Sequence, residues 1–269
     1  MSNSSERPEV LFVSHGGGPL PLLGDPGHRE MVECLQDIAT RLRRPSAILV
    51  ISAHWEEGVP TLTSGENPPL IYDYYGFPEA SYSIQYPAPG DPALAQAVHA
   101  ALTKADIDSA MDTSRGFDHG LFVPLKILFP NAEFPCVQLS LKNNLDAGVH
   151  LQIGEAIRDL EVANLLVIGS GFSFHNMRAF FAEETAESRA LNVGFEEWLH
   201  ETLTSTGLSE SERAQRLVNW QAATGARFCH PREEHLLPLH VCYGLAQAPC
   251  AEPFTLNILN KRASMYLWR

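Results

Sequence analysis

The sequence predicts an α/β fold with a central, mostly parallel or mixed sheet flanked by helices. Three observations carry that expectation. Apolar runs rich in Val, Ile and Leu at residues 10–14, 45–55 and 164–170 are short and nearly continuous, as strands buried on both faces of a parallel sheet are. Amphipathic stretches of helical period lie between them. Each run also releases into a turn carrying a histidine, His15, His54 or His175, and ligands of open α/β sheets bind beyond the carboxyl ends of the strands.

No Ser/Gly-rich linker, low-complexity block or repeat divides the chain, so residues 1–269 are read as a single domain. The first strand opens into HGGGPLPLLGDPGH, whose three glycines permit close backbone approach to a ligand but match neither phosphate-loop spacing. Residues 27–43 follow as a helix with Met31, Val32, Leu35, Ile38, Ala39 and Leu42 on one face. Beyond the second strand, residues 55–91 form a long loop stiffened by prolines. Its rings, including Tyr72, Tyr74, Tyr75, Phe77, Tyr82 and Tyr86, either pack on one another or rim the pocket that His54 faces.

Residues 93–104 read as a second helix. Next, Gly116 and Gly120 bracket Phe117, Asp118 and His119 ahead of a short apolar helix broken near Pro124. His119 is either free to face a ligand or part of a turn and cap with Asp118. PCVQLSL is a further strand, and residues 145–160, 183–206 and 210–224 are helices. His28, His99, His150 and His200 fall on helices or their ends and are read as surface or capping residues. In FCHPREEHLLPLHVCYGLA the histidines 230, 235 and 240 are five apart, so they point about 140° away from one another and share no helical face. Pro238 suits a first turn, which starts the helix near Glu234, runs it to Ala246 and puts His235 at its N-terminus.

A net charge of −13 argues against nucleic acid or an anionic membrane as partner. The first ten residues lack the pattern of a signal peptide, and no apolar stretch approaches the ~20 residues of a membrane span. Five cysteines without a C-x-x-C pair fit reduced thiols of a cytoplasmic protein.

Imidazole binds zinc, copper and iron, and it is also the acid or base best matched to neutral pH. A catalytic metal needs about three protein ligands with positions left open. His15, His54 and His235 supply such a set, leaving His175 and His119 for proton transfer. Separate buried or capping histidines are the plain alternative.

SHGGGP, VISAHW, YGFPEASYSIQYPAPGDPALA, RGFDHGLFVPL, GSGFSFHN and PREEHLLPL occur in the order found in the class III extradiol ring-cleavage dioxygenases. The chain most resembles their 4,5-DOPA dioxygenase-like branch, related to the catalytic subunit of protocatechuate 4,5-dioxygenase. That resemblance implies a non-haem Fe(II) held by His15, His54 and His235, with His175 as acid/base and His119 in the substrate pocket. It also implies a small aromatic diol and dioxygen as substrates and a muconic semialdehyde-type product. Tyr75, Phe77 and Tyr86 of the aromatic loop are the substrate-contact candidates. A three-histidine set suits Zn(II) as well, so a zinc-dependent hydrolase and a non-catalytic binding protein of the same fold stay open. Glu234 either replaces or supports His235, and the oligomeric state is left open.

Overall fold

The computed structural model describes residues 7–269, so the reading of the polar N-terminus lies, for residues 1–6, outside the described residues. Eight strands form one mixed sheet: β1 (Glu9–Ser14), β2 (Ala47–Glu57), β3 (Thr61–Thr63), β4 (Ala110–Asp112), β5 (Cys136–Lys142), β6 (Leu165–Gly171), β7 (Glu252–Ile258) and β8 (Lys261–Trp268). Their order is β4-β3-β5-β2-β6-β1-β8-β7, with β5, β2, β6 and β1 parallel to their neighbours in this block.

Side chains alternate between the faces of a strand, and each central strand is apolar on both. Leu11, Val13, Ile48 and Val50 pack with Met31, Leu35 and Ile38 of α1 (Arg29–Arg41) and with Leu121, Phe122 and Leu128 of α3 (His119–Leu128). Val10, Phe12, Leu49 and Ile51 pack on the opposite face. That face is covered by α2 (Pro92–Lys104), α4 (Ala147–Ala156), α6 (Ala186–Thr204), α7 (Glu210–Val218), α8 (Ala226–Cys229) and α9 (Leu237–Ala246). The short α5 (Met177–Phe181) follows the β6 turn.

Several expectations are corrected. The helix carrying Pro124 is not broken there but continues to Leu128. A proline removes the donor to the carbonyl four residues back, here Gly120, and Ser170 Oγ supplies the missing donor to Gly120 O at 2.5 Å. The last helix starts at Leu237 instead of Glu234, because the His235 carbonyl accepts from Phe172 N on the sheet side (2.9 Å). Of the histidines read as surface or capping, His28 does stand at the N-cap of α1, but it and His150 are buried, each held by backbone and local partners. The hairpin of β7 and β8 was not anticipated. Polar Asn257, Lys261 and Arg262 mask its alternation, and its turn is Leu259-Asn260, both at positive φ, in place of the usual Asn-Gly.

Among the described residues every cysteine is free, and no helix is long and apolar enough to cross a membrane.

Glu196 on α6 is buried against β8, where Ser264 Oγ donates to its Oε2 at 2.5 Å and its Oε1 has no partner. Burial pushes this carboxyl up to about 7, against the pull of hydrogen bonds from Ser173 and Ser264. An acid that ionises near 7 when folded and near 4.5 when unfolded favours the fold fully below pH 4.5. That contribution, on the order of 3 kcal/mol, is lost as pH rises through 7. Urea unfolding should therefore show Glu196→Gln gaining stability relative to wild type between about pH 4.5 and about pH 8. Parallel pH profiles would count against a neutral buried carboxyl.

Candidate active site

β1, β6 and β2 lie side by side, so their carboxyl ends open together. His15 follows β1 directly, its backbone N–H donating to Gly171 O at 2.9 Å. His54 lies inside β2 and not past its end. Ser52 pairs with Ser140 and Glu56 with Leu141, so Ala53, His54 and Trp55 bulge without partners on β5. The bulge brings His54 Nε2 to 3.0 Å from His15 Nε2.

His235 reaches the same edge from the turn before α9. Phe172 N donates to its carbonyl, and a Cβ on Gly171 would lie 2.1 Å from that oxygen, so only glycine allows the turn to seat here. His119 is the first residue of α3, which is capped by the Asp118 side chain accepting from Gly120 N at 3.0 Å. Asp118 is buried and also accepts from Ser52 Oγ, Gln138 Nε2 and Arg115 Nη2, which ties the α3 start to the end of β2. Burial, followed by the Asp73 charge, raises its pKa.

The ring centroids of His15, His54 and His235 are 4.9, 5.3 and 4.9 Å apart, taken as His15–His54, His15–His235 and His54–His235. His119 lies 3.8 Å from His54 and 5.7 Å from His15. His175 stacks on His235 at 3.4 Å with 15° between the planes. The ligand atoms of His15, His54 and His119 all lie within 4.8 Å of one another, as do those of His175, Glu234 and His235. All five predicted histidines thus share one site.

Three side chains that bind the Nδ1 edges decide what the rings can do. Ser170 has one hydroxyl proton, and it goes to Gly120 O, so Oγ must accept from His15 Nδ1 at 2.9 Å. That places the proton of neutral His15 on Nδ1 and leaves Nε2 a bare lone pair facing His54. Asp73 Oδ1 lies 2.8 Å from His119 Nδ1 and accepts from its backbone N–H at 3.0 Å. Glu234 Oε1 lies 2.9 Å from His235 Nδ1 and 3.2 Å from His175 Nδ1, so it supports both rings from behind.

Burial holds the pKa values of His15, His54 and His235 well below the ordinary imidazole value. Neighbouring imidazoles add to the effect, while Asp73 opposes it at His54. Burial would raise Asp73 and Glu234, yet both fall below the usual carboxylate value because they accept from His119 and His175 respectively.

These histidines line a cavity of about 500 Å³, walled by Tyr74, Phe77, Phe172 and Phe180. Of the three loop residues named as substrate contacts, Phe77 lines the cavity. Tyr75 and Tyr86 do not line the cavity. Neighbours in an extended segment face opposite ways: Tyr74 turns inward, its hydroxyl donating to Ser81 O at 2.7 Å, and Tyr75 is left 92% exposed. Tyr86 is sequestered in the core beside α3.

Sequence reasoning missed Asp73 and Ser170 behind the rings, and Leu259 and Asn260 at the hairpin tip, which line the cavity together with Tyr74, one of the loop rings read as a possible rim. Ser170 between two glycines on a strand end was an available signal. Asp73 in a run of tyrosines offered little. His28 was passed over as well: its Nε2 accepts from Gly17 N at 2.9 Å and its Nδ1 donates to Asp25 Oδ2 at 2.7 Å, which staples the glycine turn after His15.

Residues 10–262 match the family described as the catalytic LigB subunit of aromatic ring-opening dioxygenase. "Dioxygenase tasH" of Hapsidospora irregularis is 40% identical over 254 residues, covering 88% of this chain and 78% of that protein. "4,5-DOPA dioxygenase extradiol" of Beta vulgaris is 34% identical over 252 residues, covering 91% and 90%. The crystal structure of uncharacterized protein JW3007 from Escherichia coli K12 superposes with a TM-score of 0.76 at 28% identity, covering 97% of this chain and 99% of that one.

Proposed function

The chain belongs to the LigB family of aromatic ring-opening dioxygenases, and from that premise we propose that it cleaves a catecholic ring beside its hydroxyl pair with Fe(II) and dioxygen, giving a muconic semialdehyde-type product. The observation that carries this reading is the spacing of His15, His54 and His235. Nitrogens about 2.1 Å from one ion, at 90–110° to each other, are about 3.0–3.4 Å apart, and their ring centroids about 4.5–5.3 Å apart. The His15–His54 nitrogen separation of 3.0 Å meets the first condition, and the centroid distances of 4.9, 5.3 and 4.9 Å among the three rings meet the second. His119 also brings a ligand nitrogen within 4.8 Å of those of His15 and His54, but its centroid distances of 3.8 and 5.7 Å fall on either side of that range. Two buried imidazole nitrogens at 3.0 Å also repel as lone pairs unless a proton or a cation lies between them.

When bound, Fe(II) would supply open positions at which the diol and dioxygen meet and through which electron density passes from ring to oxygen. The remaining work belongs to side chains. Ser170 and Glu234 keep protons on the Nδ1 atoms of His15 and His235, so their Nε2 lone pairs face inward. Phe77, Tyr74 and Phe172 form apolar walls that orient the ring and exclude water. His119, steadied by Asp73, offers Nε2 to a substrate hydroxyl. His175 carries a proton between substrate and its own ring, which Glu234 Oε1 orients from 3.2 Å at Nδ1.

The experiment is anaerobic reconstitution with Fe(II) or Zn(II), followed by admission of air with a catechol present. Oxygen uptake with a yellow product under Fe(II) alone supports the reading. Turnover only of hydrolysable substrates under Zn(II) would overturn it.

Ser170→Ala removes the acceptor from His15 Nδ1. Metal affinity should fall about 10–100-fold, as for other outer partners of ligating histidines. Competition with a chelator reads the affinity, and ¹⁵N shifts of the imidazole read the tautomer. Unchanged values in both would remove Ser170 from this role.

A further inference from the structure

The cavity is far larger than a bare catechol fills, and its mouth is unusual. Phe181 is 85% exposed and Met177 is 54% exposed, yet both line the cavity from α5. Behind them Phe180 packs against Phe172 at 5.6 Å, so an apolar wall runs unbroken from the histidines to solvent. Large apolar side chains left open around a cavity mark a place where something apolar comes to rest. Among the described residues the lining includes no Lys or Arg, so an anionic substituent would meet no lysine or arginine counter-charge there. Asp25, a carboxylate of the lining, accepts from His28 Nδ1 and Gly27 N and adds negative potential. A volume of about 500 Å³ falls within the range of about 300–1,000 Å³ that holds ligands of many heavy atoms.

We infer that the site takes catechols whose ring substituent is apolar and uncharged, with Met177 and Phe181 covering that substituent at the cavity mouth. The inference rests on the ring-opening reading for the diol end of the substrate and concerns the other end. Phe181 and Met177 are thereby specificity-determining residues: they touch the tail and not the reacting carbons. Each methylene of the tail leaves water on binding, which is worth about 0.8 kcal/mol or roughly fourfold in affinity.

Calorimetric titration of the anaerobic, iron-reconstituted protein tests this without requiring turnover. The probes are catechol, 4-methylcatechol, 4-butylcatechol and 3-(3,4-dihydroxyphenyl)propanoate. Wild type should bind more tightly by roughly three- to fourfold per methylene along the alkyl series. The carboxylate-tailed compound should bind no better than catechol. Phe181→Ser and Met177→Ser should each weaken 4-butylcatechol by about tenfold and leave catechol unchanged; both side chains are exposed, and a thermal melt checks that the fold is kept. A flat alkyl series, tighter binding of the carboxylate, or variants that keep the wild-type slope would each overturn the proposal. If Phe181→Ser converts a dimer to a monomer with that slope intact, the exposed ring serves self-association and the proposal falls. A steep slope without oxygen uptake would instead sink the ring-opening reading and leave the apolar subsite standing.

Discussion

His235→Ala should lose iron while His119→Ala retains it. Both rings stand beside His54 at the sheet edge, both are buried, and each has a carboxylate at Nδ1, Glu234 for one and Asp73 for the other. Burial and hydrogen bonding therefore do not separate them; distance does. The centroid of His235 is 4.9 Å from His54 and 5.3 Å from His15, as two imidazoles sharing an ion at right or tetrahedral angles require. His119 sits 3.8 Å from His54, too near for both to aim at one cation without crowding, and 5.7 Å from His15. Loss of a direct ligand should weaken the metal by well over the roughly 100-fold that an outer partner costs. Metal content after dialysis against a weak chelator reads the difference. Should His119→Ala be stripped of iron while His235→Ala keeps it, the ligand set is His15, His54 and His119, and His235 moves to the substrate side.

Much of this arrangement was legible before any coordinates. A strand buried on both faces must be apolar along its length, so the runs at β1, β2 and β6 announced themselves, and the histidines in or just beyond them came with them, although His54 sits in a bulge within β2 and not past its end. His235 was legible for a different reason: Pro238 restricts where α9 can begin. The exact start was not, since it depends on Phe172 claiming the His235 carbonyl from across the sheet. The continuation of α3 through Pro124 was hidden in the same way. A local rule breaks the helix there, and a hydroxyl on β6, forty-six positions along from that proline, repairs it. Tyr74 and Tyr75 are chemically equivalent in the sequence, and only the path of the loop decides which one faces the cavity. Residues that ligate or stack could thus be found by type and by position on a strand end, whereas residues that steady them, Ser170 and Asp73, act through contacts between segments far apart in the chain.

His175→Ala should keep its iron and lose turnover by a factor on the order of 10²–10⁴ if this ring is the general acid. His175 lies flat on His235 at 3.4 Å and 15°, a separation at which two rings cannot both point their nitrogens at one ion. With His235 as the proposed ligand, His175 is left off the metal while its ring lines the same cavity. Its Nδ1 faces Glu234 Oε1 at 3.2 Å, and the same oxygen is 2.9 Å from His235 Nδ1. One carboxylate oxygen consequently faces the Nδ1 atoms of both rings, so it orients His175 and holds the tautomer of His235 at the same time. The backbone of His175 is fixed independently, its N–H donating to Cys229 O at 2.9 Å, which leaves the main chain in place when the ring is removed. Steady-state oxygen uptake should show the fall in kcat with little change in KM or iron content. Added imidazole should restore part of the rate to the alanine variant, because a freely diffusing base can occupy the space the ring leaves. A variant within tenfold of wild type, or one whose iron is lost in parallel with its activity, would assign His175 to structure or to metal binding and leave the proton with His119.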